Sequence, residues 1–238
     1  MHAFYFDIET TGLSPDRDYI CEIALLGGAG GAGGAGGAEG CTIEHSWLVK
    51  PPVDIPESAT AIHNISTAMV AQADPISTIL GQIKGILGDS CYLVAHNGDA
   101  FDKKFLIAEA NRHEIEIPTG WQWIDSLKWA RKYRPDLHTH KLQSLHVIMC
   151  GGEIQGAHRA LDDCKALKRV CECMWGDLSI AGVQKLLYSD AEIKVFPWGK
   201  YKGLPLKKVD KGYASWVINK SNADQALKEA LVNTLFKR

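Results

Sequence analysis

The segment Ala3-Phe-Tyr-Phe-Asp-Ile-Glu9 narrows the folds open to this chain more than any other. Aromatic and branched residues make it a strand, and Thr10-Thr11-Gly12 breaks it. Period-2 alternation puts Asp7 and Glu9 on one face. Two carboxylates side by side on a mostly apolar strand repel each other and resist burial. Either the strand end is half exposed with both acids solvated, or a divalent cation removes the conflict.

The rest of the chain builds a sheet around that strand. Tyr19–Leu26 and His45–Val49 read as two further strands. Between them, residues 27–38 repeat Gly-Gly-Ala, too short and too poor in proline for a collagen helix, and read as a flexible hairpin connection. Ile76, Ile79, Leu80, Ile83, Ile86 and Leu87 recur at helical spacing from Pro75 to Gly88. Strands follow at Cys91–Ala95 and Trp121–Ile124. Helices follow at Asp102–His113, up to Tyr133, at Lys141–Cys150 and at Arg159–Trp175. Three strands first, then strands alternating with helices, predict a mixed sheet with helices packed on it. The expected division is a domain over 1–176, a connector over 177–193 and a small basic module over 194–238.

Composition excludes several classes. With 238 residues, 46% hydrophobic and 23% charged, the chain can bury a substantial core. No apolar run reaches the roughly 18 residues of a membrane span, so no membrane partner is expected. The N-terminus lacks the basic and long apolar regions of a signal peptide. The seven cysteines are odd in number and form no CxxC, which suits reduced thiols, including Cys171 and Cys173, in a cytosolic-type compartment. The expected location is cytoplasmic, or nuclear in a eukaryote, and not secreted. Residues 191–238 carry ten Lys and Arg against four Asp and Glu, whereas residues 1–190 carry sixteen against twenty-four. An acidic body with a basic tail hints at a polyanionic partner.

Further acids sit where sheet elements meet helices. His96-Asn-Gly-Asp-Ala-Phe-Asp102 follows the fourth strand, and His158-Arg-Ala160-Leu-Asp-Asp163 opens the last helix of the body. On that helix Asp163 shares an apolar face with Ala160, Leu167 and Val170, while Asp162 lies with Lys165, Ala166 and Arg169 on a face read as solvated. Carboxylates gathered from different elements onto one sheet edge are what a two-metal phosphodiester site requires.

Phe6-Asp-Ile-Glu-Thr-Thr-Gly-Leu13, His96 to Asp102 and His158-x-Ala160-x-x-Asp163 strongly resemble the three motifs of the DnaQ-like (DEDDh) 3′–5′ exonucleases. Ile55 to Ile65 also resembles the stretch after the third strand in that family, and the resemblance covers roughly 1–175. The second motif is one residue longer than in exonuclease X and the polymerase III epsilon subunit. It resembles TREX-type repair exonucleases, which favours Asp102 over Asp99. The resemblance implies a ribonuclease H-like α/β fold, a five-stranded mixed sheet with its first three strands antiparallel. It implies that Asp7, Glu9, Asp102 and Asp163 hold two Mg²⁺ or Mn²⁺ and that His158 is the general base. It implies that Thr11, Gly12 and Leu13 flank the terminal nucleotide. Asn97 is a further candidate substrate contact, although it and His96 also suit loop shaping and helix capping. Arg131, Lys132, Arg134, Lys141 and Arg159 are candidates for phosphate contact.

Phe196-Pro-Trp-Gly-Lys-Tyr-Lys-Gly203 interleaves aromatics and lysines, a composition suited to single-stranded nucleic acid or to a small β-hairpin core. It resembles a module following the catalytic domain in exonuclease X-like proteins, with Trp198 in place of the usual Phe. Trp198, Lys200, Tyr201 and Lys202 are therefore candidate substrate contacts. The expected function is metal-dependent 3′–5′ exonuclease action on nucleic-acid 3′ ends, single-stranded DNA favoured, releasing nucleoside 5′-monophosphates. The alternatives are an exoribonuclease of the same superfamily and a catalytically silent nucleic-acid binder.

Overall fold

A computed structural model describes the chain except for residues 29–41, 153–158, 189–192, 222, 224 and 237–238. The strand that opens the chain, β1 (Ala3–Thr10), lies at the centre of a five-stranded sheet. It pairs antiparallel with β2 (Ile20–Gly28), which pairs antiparallel with β3 (Thr42–Leu48). Gly28 faces Thr42 at the end of that ladder, so β2 and β3 form a hairpin. The Gly/Ala-rich segment read as its connection lies outside the described residues from 29 onward.

Two short helices, α1 (Glu57–His63) and α2 (Thr67–Val70), occupy the stretch after β3, where periodicity is too brief to announce them. The third helix, α3 (Ile76–Leu87), runs from Pro75 to Gly88, whose φ of 62° ends it. Two parallel strands, β4 (Ser90–Ala95) beside β1 and β5 (Gly120–Asp125) beside β4, complete the sheet in the order β3-β2-β1-β4-β5. Between them lies α4 (Asp102–Arg112). This is the mixed α/β sheet expected, with its first three strands antiparallel.

Alternation along β1 divides its residues between two layers. Phe4, Phe6 and Ile8 enter a core with Ile79, Leu80 and Ile83 of α3 and Phe105 and Leu106 of α4. Phe6 is fully buried and meets Trp123 edge to face at 5.5 Å. Tyr5, Asp7 and Glu9 turn the other way. Helix α5 (Ser126–Tyr133) follows β5 directly, and α6 (Leu142–Cys150) precedes α7 (Ala160–Trp175). Helix α7 packs on β1 and β2, with α6 against it. The thiols of Cys150 and Cys173, one on each of these helices, lie 3.5 Å apart.

The chain divides into two compact units, one of residues 1–126 and 141–183, the other of 127–140 and 184–238. The stretch expected as a connector contains a helix, α8 (Ile180–Tyr188). The C-terminal segment is mostly helical rather than a hairpin. A bridge pairs Val195 with Pro205, and α9 (Lys211–Lys220) and α10 (Gln225–Leu231) follow. Phe196, Leu206, Val209, Ala214, Val217, Leu227 and Leu231 form its core. Residues 127–140 belong to the same unit: the Lys132 ammonium and Tyr133 hydroxyl both donate to the Leu186 carbonyl, at 2.6 and 3.2 Å.

Candidate active site

The acids gather on the sheet face covered by α7. Carboxylate oxygens of Asp7, Glu9 and Asp163 lie within 4.8 Å of one another. Asp163 is buried and Asp162 half-buried, so the helix register selects Asp163. The face assigned to Asp162 is less open than its sequence suggests, because Ala166 is buried as well. Asp102, the first residue of α4, is buried and adds its charge to the field at Asp7. Asp99 is half-buried and instead donates its backbone N–H to Asp125.

Electrostatics record the crowding. Desolvation raises the Asp7 carboxyl well above the usual range, and Asp102, Asp163, Glu9 and Glu22 push it further. Glu9 rises to about 8, through burial first and then Asp163, Glu22 and Asp102, against a lowering pull from Arg159. Asp102 rises to about 7 through burial, although its own backbone N–H and that of Ile8 stabilise its charge. An all-oxygen cluster of this kind fits hard divalent cations, which neutralise the repulsion and exchange hydration water for carboxylate ligands.

Three buried groups that the sequence did not single out hold the cluster in place. Glu22 stands opposite Glu9 in the β1–β2 ladder, where like charges destabilise a pair. It is engaged elsewhere: its carboxylate accepts from the Arg159 Nη2 at 2.7 Å, the Ala160 N–H at 3.1 Å and the Ser46 hydroxyl at 3.0 Å. Glu22 thereby fastens the N-terminus of α7 to the sheet. Arg159, a candidate for phosphate contact, is committed to this pair. Asp125 ends β5 and accepts from the N–H groups of Asn97 and Asp99, at 3.1 and 3.2 Å, which shapes the loop leading to Asp102. His63 receives the Ile65 N–H on Nδ1, so its ring proton sits on Nε2, 3.3 Å from the Thr10 carbonyl. Burial lowers the pKa of that imidazole, against opposing pulls from the Thr10 carbonyl and Glu22.

The expected substrate contacts divide. Thr11 is buried, and its N–H and hydroxyl both engage Tyr19, at 2.8 and 3.0 Å, so its side chain braces the turn. A Cβ at Gly12 would lie 2.4 Å from the Asp18 carboxylate, which accepts the Ser14 N–H and would have to shift. Leu13 projects with 84% of its surface exposed. Asn97 has a φ of 68°, and His96 bonds the Ser126 hydroxyl at 2.9 Å. Both shape the loop, but neither caps α4, whose N-cap is Phe101 without a side-chain bond. His158 lies outside the described residues. In the second unit Trp198 and Tyr201 pack edge-on to buried Phe196, while Lys200 and Lys202 are exposed.

The RNase_T exonuclease model matches residues 4–171. The chain is 32% identical over 191 residues to Exonuclease DPD1, chloroplastic/mitochondrial, of Arabidopsis thaliana, covering 74% of this chain and 56% of that protein. It is 30% identical over 168 residues to DNA polymerase III subunit epsilon of Treponema pallidum, covering 70% and 71%. Against the PolC-type DNA polymerase III of Clostridium perfringens it is 33% identical but spans only 10% of that protein. In fold it is similar to E. coli Exonuclease I in complex with a dA16 oligonucleotide, with a TM-score of 0.61, 17% identity and coverage of 72% of this chain and 40% of that one. It is also similar to Exonuclease X in complex with 5′ overhanging duplex DNA, with a TM-score of 0.58, 24% identity and coverage of 78% and 99%. The matched residues include the strand and helices that carry the acidic cluster, and the chain belongs to the DnaQ-like, RNase_T family of hydrolytic exonucleases.

Proposed function

We propose that this chain removes nucleotides from the 3′ ends of nucleic acid, single-stranded DNA above all, as nucleoside 5′-monophosphates. The observation that carries the reading is the convergence of Asp7, Glu9 and Asp163 within 4.8 Å beside buried Asp102. Such a set is unstable as four bare carboxylates and suited to two Mg²⁺ or Mn²⁺. Bound there, the ions would offset the acids' charge and stabilise the charge that develops on the scissile phosphate.

The chain's own groups do the rest. Asp7 and Glu9 are fixed by the central strand, Asp163 by the helix that Glu22 fastens, and Asp102 by the loop that Asp125 shapes. An imidazole nitrogen of His158 takes a proton from the attacking water as the general base. As the water oxygen bonds to phosphorus, the bond from phosphorus to the 3′ oxygen of the preceding nucleotide breaks. Exposed Leu13 offers an apolar surface to the terminal base, beside a turn braced by Thr11. The DNA preference follows the polymerase III epsilon relative and the DNA-bound fold neighbours.

Matched DNA and RNA strands labelled at the 5′ end, incubated with Mg²⁺ or with EDTA, test the reading. Stepwise shortening from the 3′ end, mononucleotide release, dependence on the metal and faster loss of DNA are expected. His158→Ala should slow single-turnover release by about 10²–10⁴-fold. Internal cleavage, or equal activity in EDTA, would overturn the proposal.

A further inference from the structure

We infer that the basic unit carries its own single-strand-binding face, formed by Trp216, Tyr213 and Lys200, whose ligand is an unpaired polynucleotide. Four observations converge on it. First, the core of this unit is complete without Trp216. On α9, Ala214 and Val217 are fully buried, while Trp216 between them stands 49% exposed. A tryptophan left so open is uncommon and calls for a reason beyond packing.

Second, Trp216 ends a row of rings. Tyr201 and Tyr213 are 5.0 Å apart between centroids, and Tyr213 and Trp216 are 5.6 Å apart with planes tilted by 36°. Nucleobases stack on open aromatic faces whatever their sequence. Third, a cation sits on that row: the Lys200 ammonium is 4.8 Å from the Tyr201 centroid and 5.1 Å from that of Tyr213. A lysine held against the rings brings positive charge to where the phosphate next to a stacked base would run.

Fourth, the unit's charge fits a polyanion. Residues 127–140 and 184–238 together carry fifteen Lys and Arg against six Asp and Glu, a formal +9. Two of those acids are engaged locally: Asp136 pairs with Arg134, and Asp210 caps α9 through the Tyr213 N–H. Residues 194–236 contain eight lysines and no arginine. Protein–protein interfaces are depleted in lysine, whereas lysines alternating with aromatics suit single strands.

The face is separate in its residues from the carboxylate cluster, and its test needs no hydrolysis. Binding of the full chain to fluorescein-labelled dT20 and rU20 is followed by anisotropy in EDTA across a salt series. Trp216→Ala should weaken both by about 5- to 150-fold, the range expected for one stacked base. Trp216→Phe should retain most of the affinity. A Lys200→Gln/Lys202→Gln double variant should make the log–log salt slope shallower by roughly 1.4, at about 0.7 per phosphate contact. A loss confined to rU20 or dT20 would assign the face to that polymer. Unchanged affinity in Trp216→Ala together with an unchanged slope in the lysine variant would overturn the inference. So would loss of self-association, measured by sedimentation, without loss of oligonucleotide binding. The lysine variant decides the matter if circular dichroism shows Trp216→Ala to be unfolded. Binding is read in EDTA, so absence of hydrolysis in the wild type is a separate failure from absence of stacking.

Discussion

The two units treat charge in opposite ways. In the larger one, residues 1–126 and 141–183, eleven Lys and Arg face twenty-two Asp and Glu, a formal −11. Its decisive acids are buried or half-buried and crowd each other, and Arg159, the cation named as lowering the Glu9 pKa, is bound to Glu22. In the smaller unit the lysines at 200, 202, 207 and 208 are exposed. One unit concentrates negative charge where water is scarce, which suits small cations. The other spreads positive charge where water is plentiful, which suits a long anion. A division at residue 190 captures only part of this contrast, because Lys128, Arg131, Lys132 and Arg134 belong to the basic side.

The largest effects should come from the acidic unit. Asp7→Asn should reduce single-turnover hydrolysis to below about a tenth of wild type, through loss of a shared ligand charge, while oligonucleotide binding in EDTA persists. Asp163→Asn should match it and Asp162→Asn should not; the reverse outcome, in the same rate assay, would mean that α7 is misregistered by one residue. Next in size is Glu22→Gln, which loosens the clamp on α7. A fall of about 10- to 100-fold in kcat, with a higher Mg²⁺ requirement and unchanged KM, is expected for a positioning residue. Arg159→Lys should restore part of what Arg159→Ala loses. Equal loss of thermal stability and activity, with the Mg²⁺ requirement unmoved, would reduce Glu22 to a packing role.

The smallest effect is on stability. Folded Glu9 keeps its proton to about pH 8 and folded Asp102 to about 7, against ordinary values of 4.5 and 3.8. Between those limits the folded chain binds more protons than the unfolded one, so stability falls as pH rises. Metal-free protein should lose several degrees of Tm between pH 5 and 8, at about 2–4 °C per kcal/mol for a chain of this size. Mg²⁺ should flatten the decline, as should Asp7→Asn. A Tm that is level or rising across that interval, measured by calorimetry in EDTA, would contradict the crowding of the acids.

The legible parts of the molecule were those written in local pattern. The alternation of Phe4, Phe6 and Ile8 against Asp7 and Glu9, and the spacing along α3 and α7, follow from backbone geometry alone. Glu22 and His63 escaped notice because their partners, Arg159 and Thr10, lie 137 and 53 residues away in sequence. Asp125 escaped because it holds backbone rather than side chain. Thr11 matched its motif yet turns inward, since Tyr19 offers both a donor and an acceptor. Nothing in the sequence separates Trp216 from Trp198, and only packing leaves one ring open and the other against Phe196.

The basic unit is assembled from two stretches of chain. Lys132 emerges from the ribosome 54 residues before Leu186, whose carbonyl it binds. At about 5–20 residues per second, that separation is roughly 3–11 s of synthesis. Asp163, the last of the four acids, is made before Leu186. A growing chain therefore holds the complete set of carboxylates while α5 still awaits its partners, and the surface that would meet a polyanion forms after them.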